Sequence, residues 1–376
     1  MLDAAKVTAL LDRARREVDE GLLPAVQVAV GWQGEVVVDA TFGAPDDARI
    51  LGFSTTKALV GAAAWRLVGE GSLDLAAPVA DYIPAFAANG KEAVTVEQVL
   101  LHLGGFPLAP LGPNRWSTRA GRHEQYARWH LTLPPGEVYV YHPTAGHWVI
   151  ADIVEELTGL PYADAVERTV TAPLGLPRLL GIPVAAQAGV LTTVGVGSPA
   201  TASEIEAEMG VPPPPGVPTD VAIADLLSLN DPRARATGVP GGGGIFRAAD
   251  LALLYQAFLH DPQGLWDPAV LADATGVVRN RLPDTWGVPA NRTRGGLVVK
   301  GDDGLGHRRG FGHTTSARAF GHDGVGGQMA FADPASGLSV AYLTSGLDQH
   351  LVREKRRGVD IASLAADVLA GDRSRT

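Results

Sequence analysis

A serine and a lysine three residues apart, Ser54 and Lys57, are the pair in this chain whose types and spacing allow chemistry most directly. Residues three apart on a helix lie on one face, with their Cβ atoms about 5–6 Å apart. A serine hydroxyl needs a neighbouring base to become a nucleophile, and lysine can be that base only when its pKa is lowered. The pair therefore predicts acyl transfer through Ser54, and the alternative is a serine that merely caps a helix.

The scarcity of lysine supports a special role for Lys57. The chain has 31 lysines and arginines together, but the lysines occupy only five positions: Lys6, Lys57, Lys91, Lys300 and Lys355. Arginine is effectively always protonated and cannot accept a proton at neutral pH. A chain that uses arginine for most of its positive charges thus has lysine at a position where a base is needed.

Composition sets the class of protein and excludes several kinds of site. The 376 residues are 46% hydrophobic and 19% charged, which is enough for a large core and predicts two lobes. A net charge of −10 argues against nucleic acid or an anionic membrane as the main partner. The chain has no cysteine, which excludes disulfides, thiolate catalysis and cysteine-ligated metal centres.

The start of the chain and its hydropathy predict where the protein works. Met1 leads into an amphipathic segment with acidic residues, unlike the basic and then apolar regions of a signal peptide. No uncharged apolar run reaches the length of a membrane span. We therefore expect a cytoplasmic protein that binds neither nucleic acid nor membrane, and the sequence carries no signal of its oligomeric state.

Apolar periodicity predicts a pair of strands near each end of the chain, each beside a terminal helix. The first pair is residues 25–30 and 35–42, and the second is residues 328–332 and 339–344. Two antiparallel pairs at opposite ends of a chain most simply join one sheet. The terminal helices are predicted to begin and end the chain, and the helices between the strand pairs lie at residues 54–69, 94–103, 145–157 and 248–260.

These elements predict an α/β (α+β) protein with two lobes. We expect an antiparallel sheet flanked by the terminal helices, formed by residues 1–53 and 290–376, and a mostly helical lobe formed by residues 54–289. The active site would lie in the cleft between them. Residues 192–240 are poor in periodicity and are interpreted as an irregular excursion or lid. The glycines of Gly241–Gly244 indicate a tight backbone crossing and not a phosphate loop.

Three further segments give Ser54 and Lys57 a wider context. These are Leu101–Pro107, Pro135–Pro143 and Gly321–Gly327. In this order and spacing they resemble the serine β-lactamase and penicillin-binding-protein superfamily, and specifically its class C-like branch. That branch includes family VIII carboxylesterases and D-aminopeptidase-type hydrolases. The resemblance covers about residues 5 to 370 and implies a serine β-lactamase-like fold.

The resemblance also implies roles for individual residues. Ser54 would be the acylated nucleophile, with Lys57 as its partner on the helix face. Tyr141 falls at the family's catalytic tyrosine and would carry a proton between nucleophile and leaving group. His322 falls where the family's third motif begins and is included among the catalytic residues. We expect a cationic Lys57 to lower the pKa of Tyr141, which leaves open whether the lysine or the tyrosine is the base.

The oxyanion hole and the substrate contacts follow from the same segments. The backbone N–H groups of Ser54 and of Val325 would hold the oxyanion, and Asp323 and Gly324 would contact the substrate. The family's asparagine is replaced by Pro143, which has no side-chain donor. An Asp323 that faces the cleft would repel a substrate carboxylate. Both departures favour a neutral ester over a β-lactam.

We therefore expect a carboxylesterase that acts on small or medium esters through an acyl-enzyme on Ser54. The alternatives are a β-lactamase or D-amino peptidase, a biosynthetic acyltransferase, and a catalytically silent binding protein on the same scaffold. The expected partner is a small-molecule ester or amide substrate. No cofactor is expected. No metal is expected either, because His142 and His147 have the wrong spacing for a zinc-binding helix face.

Overall fold

The computed structural model of the protein describes residues 1–213 and 223–369. Most of its strands form one antiparallel sheet of eight strands, and the others form two short ladders. Within the described residues the strands are β1 (Val26–Trp32), β2 (Glu35–Phe42), β3 (Ile50–Leu51), β4 (Val194–Val196), β5 (Ile245–Phe246), β6 (Val278–Asn280), β7 (Arg292–Thr293), β8 (Val298–Val299), β9 (Phe320–Gly324), β10 (Gln328–Asp333), β11 (Leu338–Thr344) and β12 (Gly346–Asp348).

The large sheet joins the two ends of the chain. Its strand order is β2-β1-β11-β10-β9-β8-β7-β6, and β1 runs antiparallel to β11 with Val26 opposite Thr344. This pairing confirms that the N-terminal and C-terminal strand pairs belong to one sheet. The two short ladders pair β12 with β4 and β3 with β5.

Helices cover both faces of the sheet and form the middle of the chain. In the parts of the chain that the structure describes, the helices are α1 (Ala4–Asp19), α2 (Thr56–Gly69), α3 (Val79–Tyr82), α4 (Val96–Leu100), α5 (Arg119–Tyr126), α6 (Ala145–Thr158), α7 (Tyr162–Val166), α8 (Ala202–Met209), α9 (Ile223–Leu227), α10 (Pro232–Thr237), α11 (Ala248–His260), α12 (Pro268–Gly276) and α13 (Leu351–Ala366). None of the helices described is both long enough and apolar enough to cross a bilayer.

Strand β1 shows why the sheet is covered on both sides. Successive side chains of a strand point to opposite faces, so a strand buried on both faces is apolar throughout. Val28 and Val30 pack in one core with Leu10 of α1 and Ile361 of α13. Ala29 lies in a second core, which also contains the apolar residues of α11. The fold is therefore a mixed α/β arrangement, as the sequence predicts.

Helix α2 is the central helix of this second core. Most of its residues are apolar and buried, from Ala58 to Trp65, and it packs on α6. A helix that is apolar on all sides is stable only when it is surrounded by protein. The start of α2 is consequently fixed by packing, and so are the side chains that it presents there.

The predicted irregular segment is more ordered than expected in the part that the structure describes. Residues 192–213 and 223–240 contain β4, α8, α9 and α10, while residues 214–222 of the predicted segment lie outside the described residues. Helix α8 begins with a capping box between Thr201 and Glu204. The elements are short, so they leave little apolar periodicity in the sequence. The division into two lobes stays a prediction, and the sheet includes β6, which precedes residue 290.

Candidate active site

The turn before α2 positions Ser54. Phe53, Ser54 and Thr55 form a 3₁₀ turn, and Phe53 has a φ of +45°. Positive φ is strained for a bulky residue and persists only where the surroundings hold it. The Thr56 hydroxyl donates to the Phe53 carbonyl at 2.6 Å and accepts from the Gly244 N–H at 2.9 Å. The strained turn is thereby tied to the glycine segment that precedes β5.

Ser54 contacts both residues predicted to activate it. Its Oγ lies 3.0 Å from Lys57 Nζ and accepts a hydrogen bond from the Tyr141 hydroxyl at 2.9 Å. Thr55, and not Ser54, stands at the N-cap position of α2. The Ser54 hydroxyl is therefore not a helix cap, and the structure brings together the three side chains that the sequence singles out.

Two backbone carbonyls hold Lys57 in place. Its Nζ donates to the carbonyl of Pro143 at 2.7 Å and to that of Gly241 at 2.6 Å. Pro143 replaces the family's asparagine, and its main-chain carbonyl is one of the partners that Lys57 has here. A Cβ on Gly241 would lie 2.7 Å from the Pro143 carbonyl oxygen, so only glycine allows the two carbonyls to approach so closely.

Lys57 can make its three contacts in either of two protonation states. An ammonium would donate to both carbonyls and to Ser54. A neutral amine has two N–H groups for the carbonyls and a lone pair left for the Ser54 hydroxyl. The pKa of Lys57 lies well below its ordinary value, first because the group is fully buried and then because of the charge of Arg292. The lowered pKa makes the neutral state, which can accept a proton from Ser54, more accessible than it is in an exposed lysine.

Tyr141 differs from the expectation. Burial raises the pKa of its phenol above the ordinary value, and the charge of Arg292 and the hydrogen bond to Ser54 offset this only in part. The prediction that Lys57 lowers the pKa of Tyr141 is wrong, because burial of the phenol is the largest influence on that pKa and raises it. Tyr141 is therefore a protonated phenol, which can donate a proton but is not poised to remove one.

His322 lies beside Tyr141 and not beside Ser54. The two ring centroids are 5.9 Å apart, and His322 Nδ1 lies 2.5 Å from the carbonyl oxygen of Asp323, to which it must donate. Burial lowers the pKa of His322, and the positive charges of Arg292 and Lys57 lower it further. The imidazole is neutral at pH 7. The catalytic role given to His322 in the sequence analysis stays a prediction.

Two more buried histidines lie in this region. The ring of His102 is 4.6 Å from that of Tyr141 and 6.1 Å from that of His147, measured between centroids. Burial lowers the pKa of both imidazoles well below the ordinary value. The side of Tyr141 that faces them is thus lined by neutral rings. Among the residues described, no set of three His, Asp or Glu side chains is placed to hold a metal ion.

Of the trio formed by Ser54, Lys57 and Tyr141, the serine and the tyrosine line a cleft of about 430 Å³, and Arg292 lines it as well. Asp323 also lines it, about half exposed, and forms an ion pair of 3.2 Å with Lys355 of α13. Burial raises the pKa of the Asp323 carboxyl, but Lys355 and other neighbouring positive groups lower it more, so the group is ionised. Asp323 therefore faces the cleft as an ionised carboxylate, but one that is already paired.

The predicted oxyanion donors lie at the ends of two facing segments. Val325 lines the same cleft as Ser54 and follows directly after β9. A Cβ on Gly324 would lie 2.6 Å from the carbonyl oxygen of Gly52, so β9 ends against the turn that carries Ser54. In the described chain, neither N–H donates to a side chain or to a carbonyl outside its own element. Their role as oxyanion donors stays a prediction.

The sequence analysis missed three parts of this site. The carbonyls of Pro143 and Gly241 carry no side-chain signal that could have identified them. Arg292 lies within a polar run of the sequence, where nothing distinguishes a buried arginine from an exposed one. Lys355 was noticed only as one of few lysines. Its contact with Asp323 joins residues that are 32 positions apart, and no local pattern indicates such a pair.

Comparisons with known proteins give a consistent result. The family model described as "Beta-lactamase" matches residues 10–363. The esterase/beta-lactamase LipL of Mycobacterium tuberculosis (strain ATCC 25618 / H37Rv) is 26% identical over 401 residues, which cover 93% of this chain and 83% of that protein.

Two solved structures extend the likeness over nearly the whole fold. A penicillin-binding-protein homolog from Caulobacter crescentus is 26% identical with a TM-score of 0.77, covering 98% of this chain and 99% of that chain. A family VIII carboxylesterase, 23% identical, shares the fold with a TM-score of 0.78 and the same coverage. These findings confirm the resemblance predicted from the sequence motifs. The chain belongs to the β-lactamase family and is a serine hydrolase with the serine β-lactamase fold.

Proposed function

We propose that this hydrolase is a carboxylesterase that acts on small or medium esters through an acyl-enzyme on Ser54. The observation that carries the proposal is the contact of Ser54 Oγ with both Lys57 Nζ and the Tyr141 hydroxyl. A nucleophile within hydrogen-bond reach of a base and of an acid is the arrangement that acyl transfer needs.

The first half of the reaction forms the acyl-enzyme. Neutral Lys57 accepts the proton of Ser54 as Oγ attacks the ester carbonyl. The N–H groups of Ser54 and Val325 hold the oxygen that becomes negative, where such donors are worth about 3–4 kcal/mol each. When the tetrahedral species collapses, the Tyr141 phenol protonates the leaving alcohol, and the Lys57 ammonium restores the phenol proton.

The second half releases the acyl group. Water takes the place of the alcohol, loses its proton to the restored base and attacks the acyl carbonyl. Collapse of this second tetrahedral species returns the proton to Ser54 Oγ and frees the carboxylic acid. An alcohol or amine in place of water would make the protein an acyltransferase, and added acceptors would reveal this in the products.

Two features support an ester over an amide or a β-lactam. Pro143 supplies no side-chain amide to bind a substrate amide, and only its carbonyl takes part in the site. Asp323 presents a negative charge to the cleft, which disfavours a substrate carboxylate. The similar protein named as an esterase/beta-lactamase carries both activities in its name and does not decide between them.

A β-lactam or a D-amino peptide is the second candidate substrate. The cations of Arg292 and Lys355 both line the cleft and offer partners to a carboxylate. The likeness to a penicillin-binding-protein homolog points in the same direction. This alternative requires a substrate that competes with Asp323 for Lys355.

Relative turnover of a p-nitrophenyl ester and a chromogenic cephalosporin tests the proposal. We expect kcat/KM for the ester to exceed that for the cephalosporin, and Ser54→Ala to lose nearly all ester turnover. Ser72→Ala, a change at an exposed serine, is the matched control and should behave as the parent enzyme. A cephalosporin preference would favour the second candidate, and full activity in Ser54→Ala would refute an acyl-enzyme on this residue.

A further inference from the structure

Arg292 is a buried cation that forms no ion pair with a carboxylate of the described residues. It lies on β7 with 6% of its surface exposed. Its Nε donates to the Tyr139 hydroxyl at 3.2 Å and its Nη1 to the Gly296 carbonyl at 3.1 Å. Both partners are uncharged, and no Asp or Glu in the described ranges forms an ion pair with this guanidinium.

Of the three other arginines that are buried in the described residues, Arg235 bonds to the Leu191 carbonyl and the Asn230 side chain, and the remaining two are held by carboxylates. Arg122 forms ion pairs with Asp152 and Glu155. Arg357 forms ion pairs with Glu17 and Asp348. Burying an unpaired charge costs several kcal/mol, so an arginine without a carboxylate calls for a reason at its own site.

The guanidinium of Arg292 lies close to two members of the trio, Tyr141 and Lys57. Its central carbon lies 5.2 Å from the centroid of the Tyr141 ring, and Lys57 Nζ lies 5.0 Å from the same centroid. A second positive charge on Lys57 would therefore be close to a permanent one in a poorly solvated region. Repulsion of this kind favours the neutral amine over the ammonium.

The other titratable groups facing Lys57 and Tyr141 cannot replace this charge. His102 and His147 are buried neutral imidazoles, and so is His322. Tyr139 is an uncharged phenol that accepts from Arg292. Asp323 acts in the opposite sense on Lys57, but its carboxylate is paired with Lys355. Within the described residues, Arg292 is thus the permanent positive charge beside the trio.

We propose that Arg292 is a positioning residue that keeps Lys57 in its neutral, proton-accepting form and so sets the lower limit of the pH range of the enzyme. This inference rests on the proposed role of Lys57 as the base. Arg292 acts through Lys57 and Tyr141 and takes no proton itself. Its removal therefore moves the pH dependence and leaves the turnover at high pH largely intact.

The test is the pH profile of ester hydrolysis in Arg292→Met and Arg292→Lys. In Arg292→Met the midpoint of the rise in kcat/KM should move up by about one pH unit, which is roughly a tenfold loss below the midpoint. Arg292→Lys keeps a cation, so the midpoint of its profile should lie close to that of the parent enzyme. Arg294→Met, which removes a half-exposed neighbour that pairs with Glu97, should leave the profile unchanged.

A uniform loss at every pH in Arg292→Met, with no change of midpoint, would overturn the inference and leave Arg292 a purely structural role. Should the methionine variant fail to fold, Arg292→Gln retains a hydrogen-bond donor toward Tyr139 or Gly296 and carries the same test.

A second readout separates this inference from the proposed function. The chain has only five lysines, so an NMR spectrum with carbon-13 at the lysine side chains can resolve Lys57 during a pH titration. Lys57 should lose its proton at a higher pH in Arg292→Met than in the parent protein. This result would stand even if no ester were hydrolysed. An unchanged Lys57 titration would refute the inference even in an active esterase.

Discussion

Lys57 and Lys91 are two buried lysines held in nearly the same way, yet only one is placed for chemistry. Neither exposes any of its surface. Lys57 Nζ donates to two backbone carbonyls, at 2.7 and 2.6 Å. Lys91 Nζ also donates to two, the carbonyl of Trp129 at 2.5 Å and that of Ala88.

The two lysines differ in the groups that lie near Nζ besides the two carbonyls. For Lys57 these groups are Ser54 Oγ and the nearby positive charge of Arg292. For Lys91, among the residues described, no hydroxyl bonds to Nζ. The Phe86 ring centroid lies 5.4 Å from Lys91 Nζ, but the Tyr141 ring centroid lies 5.0 Å from Lys57 Nζ, so an aromatic ring is common to both lysines. Burial lowers the pKa of Lys91 as well, but the nearby charge of Glu92 raises it in part. Under the proposed mechanism, burial and carbonyl contacts alone do not make a lysine a base, whereas a neighbouring serine hydroxyl and a nearby cation do.

The largest expected difference comes from removing each lysine in turn. Lys57→Met should lower kcat/KM for an ester by at least about 10³-fold, because Ser54 loses its base. Lys91→Met should leave kcat/KM of the folded enzyme within about twofold of the parent. It should lower the free energy of unfolding by about 1–3 kcal/mol, because the Ala88 carbonyl loses its donor.

Steady-state kinetics and denaturant unfolding of the two variants provide the measurement. Equal losses of activity in Lys57→Met and Lys91→Met, after correction for the folded fraction, would refute the proposed difference between the two lysines. The catalytic role of Lys57 would then reduce to a structural one.

Removing the hydroxyl of Tyr141 should have the next largest effect. Tyr141→Phe should lower kcat/KM by about 10²-fold, because the leaving alcohol loses its proton donor. An ester with a good leaving group, such as p-nitrophenol, should be less affected than an alkyl ester, since its alcohol needs less protonation. Equal losses on both esters would show that the hydroxyl serves only to hold Ser54.

The smallest effect is expected at Pro143. Pro143→Asn restores the side chain found in the family, but Lys57 contacts the backbone carbonyl of this position. Ester kcat/KM should therefore change by less than about threefold, and hydrolysis of an anilide should gain relative to the ester. A loss of activity as large as that of Lys57→Met would show that the proline ring itself sets the position of the carbonyl.

Much of this fold could be predicted because its elements carry strong local signals. Helix α11 has the bounds predicted from its apolar spacing, residues 248–260. The two hairpins were recognised from alternation and turn residues, and their union in one sheet followed from topology. Ser54, Lys57 and Tyr141 were identified from motifs alone, and the structure brings their side chains together.

The errors arose where distant contacts override local pattern. The helix predicted at 94–103 is only Val96–Leu100, because His102 adopts a φ of +57° and places its ring against Tyr141. The closing helix, for which no start is predicted, runs over Leu351–Ala366, and its first half is a charged run that hides its apolar face. Arg357 of that run is buried by ion pairs to residues elsewhere in the chain.

The site was incomplete for the same reason. Arg292 follows Tyr141 by 151 residues, and no local pattern links the two. The direction of the pKa shift of Tyr141 was also wrong, because it depends on burial. Burial of one side chain is a property of the whole fold and cannot be derived from a motif.

The most direct test of the central claim is the intact mass of the protein after exposure to a fluorophosphonate ester. The account predicts one adduct on the parent protein, located at Ser54 by peptide mapping. It also predicts a much slower adduct in Lys57→Met and an unchanged rate in Lys91→Met. An unmodified parent protein, or an adduct at another residue, would contradict the assignment of Ser54 as a nucleophile activated by Lys57.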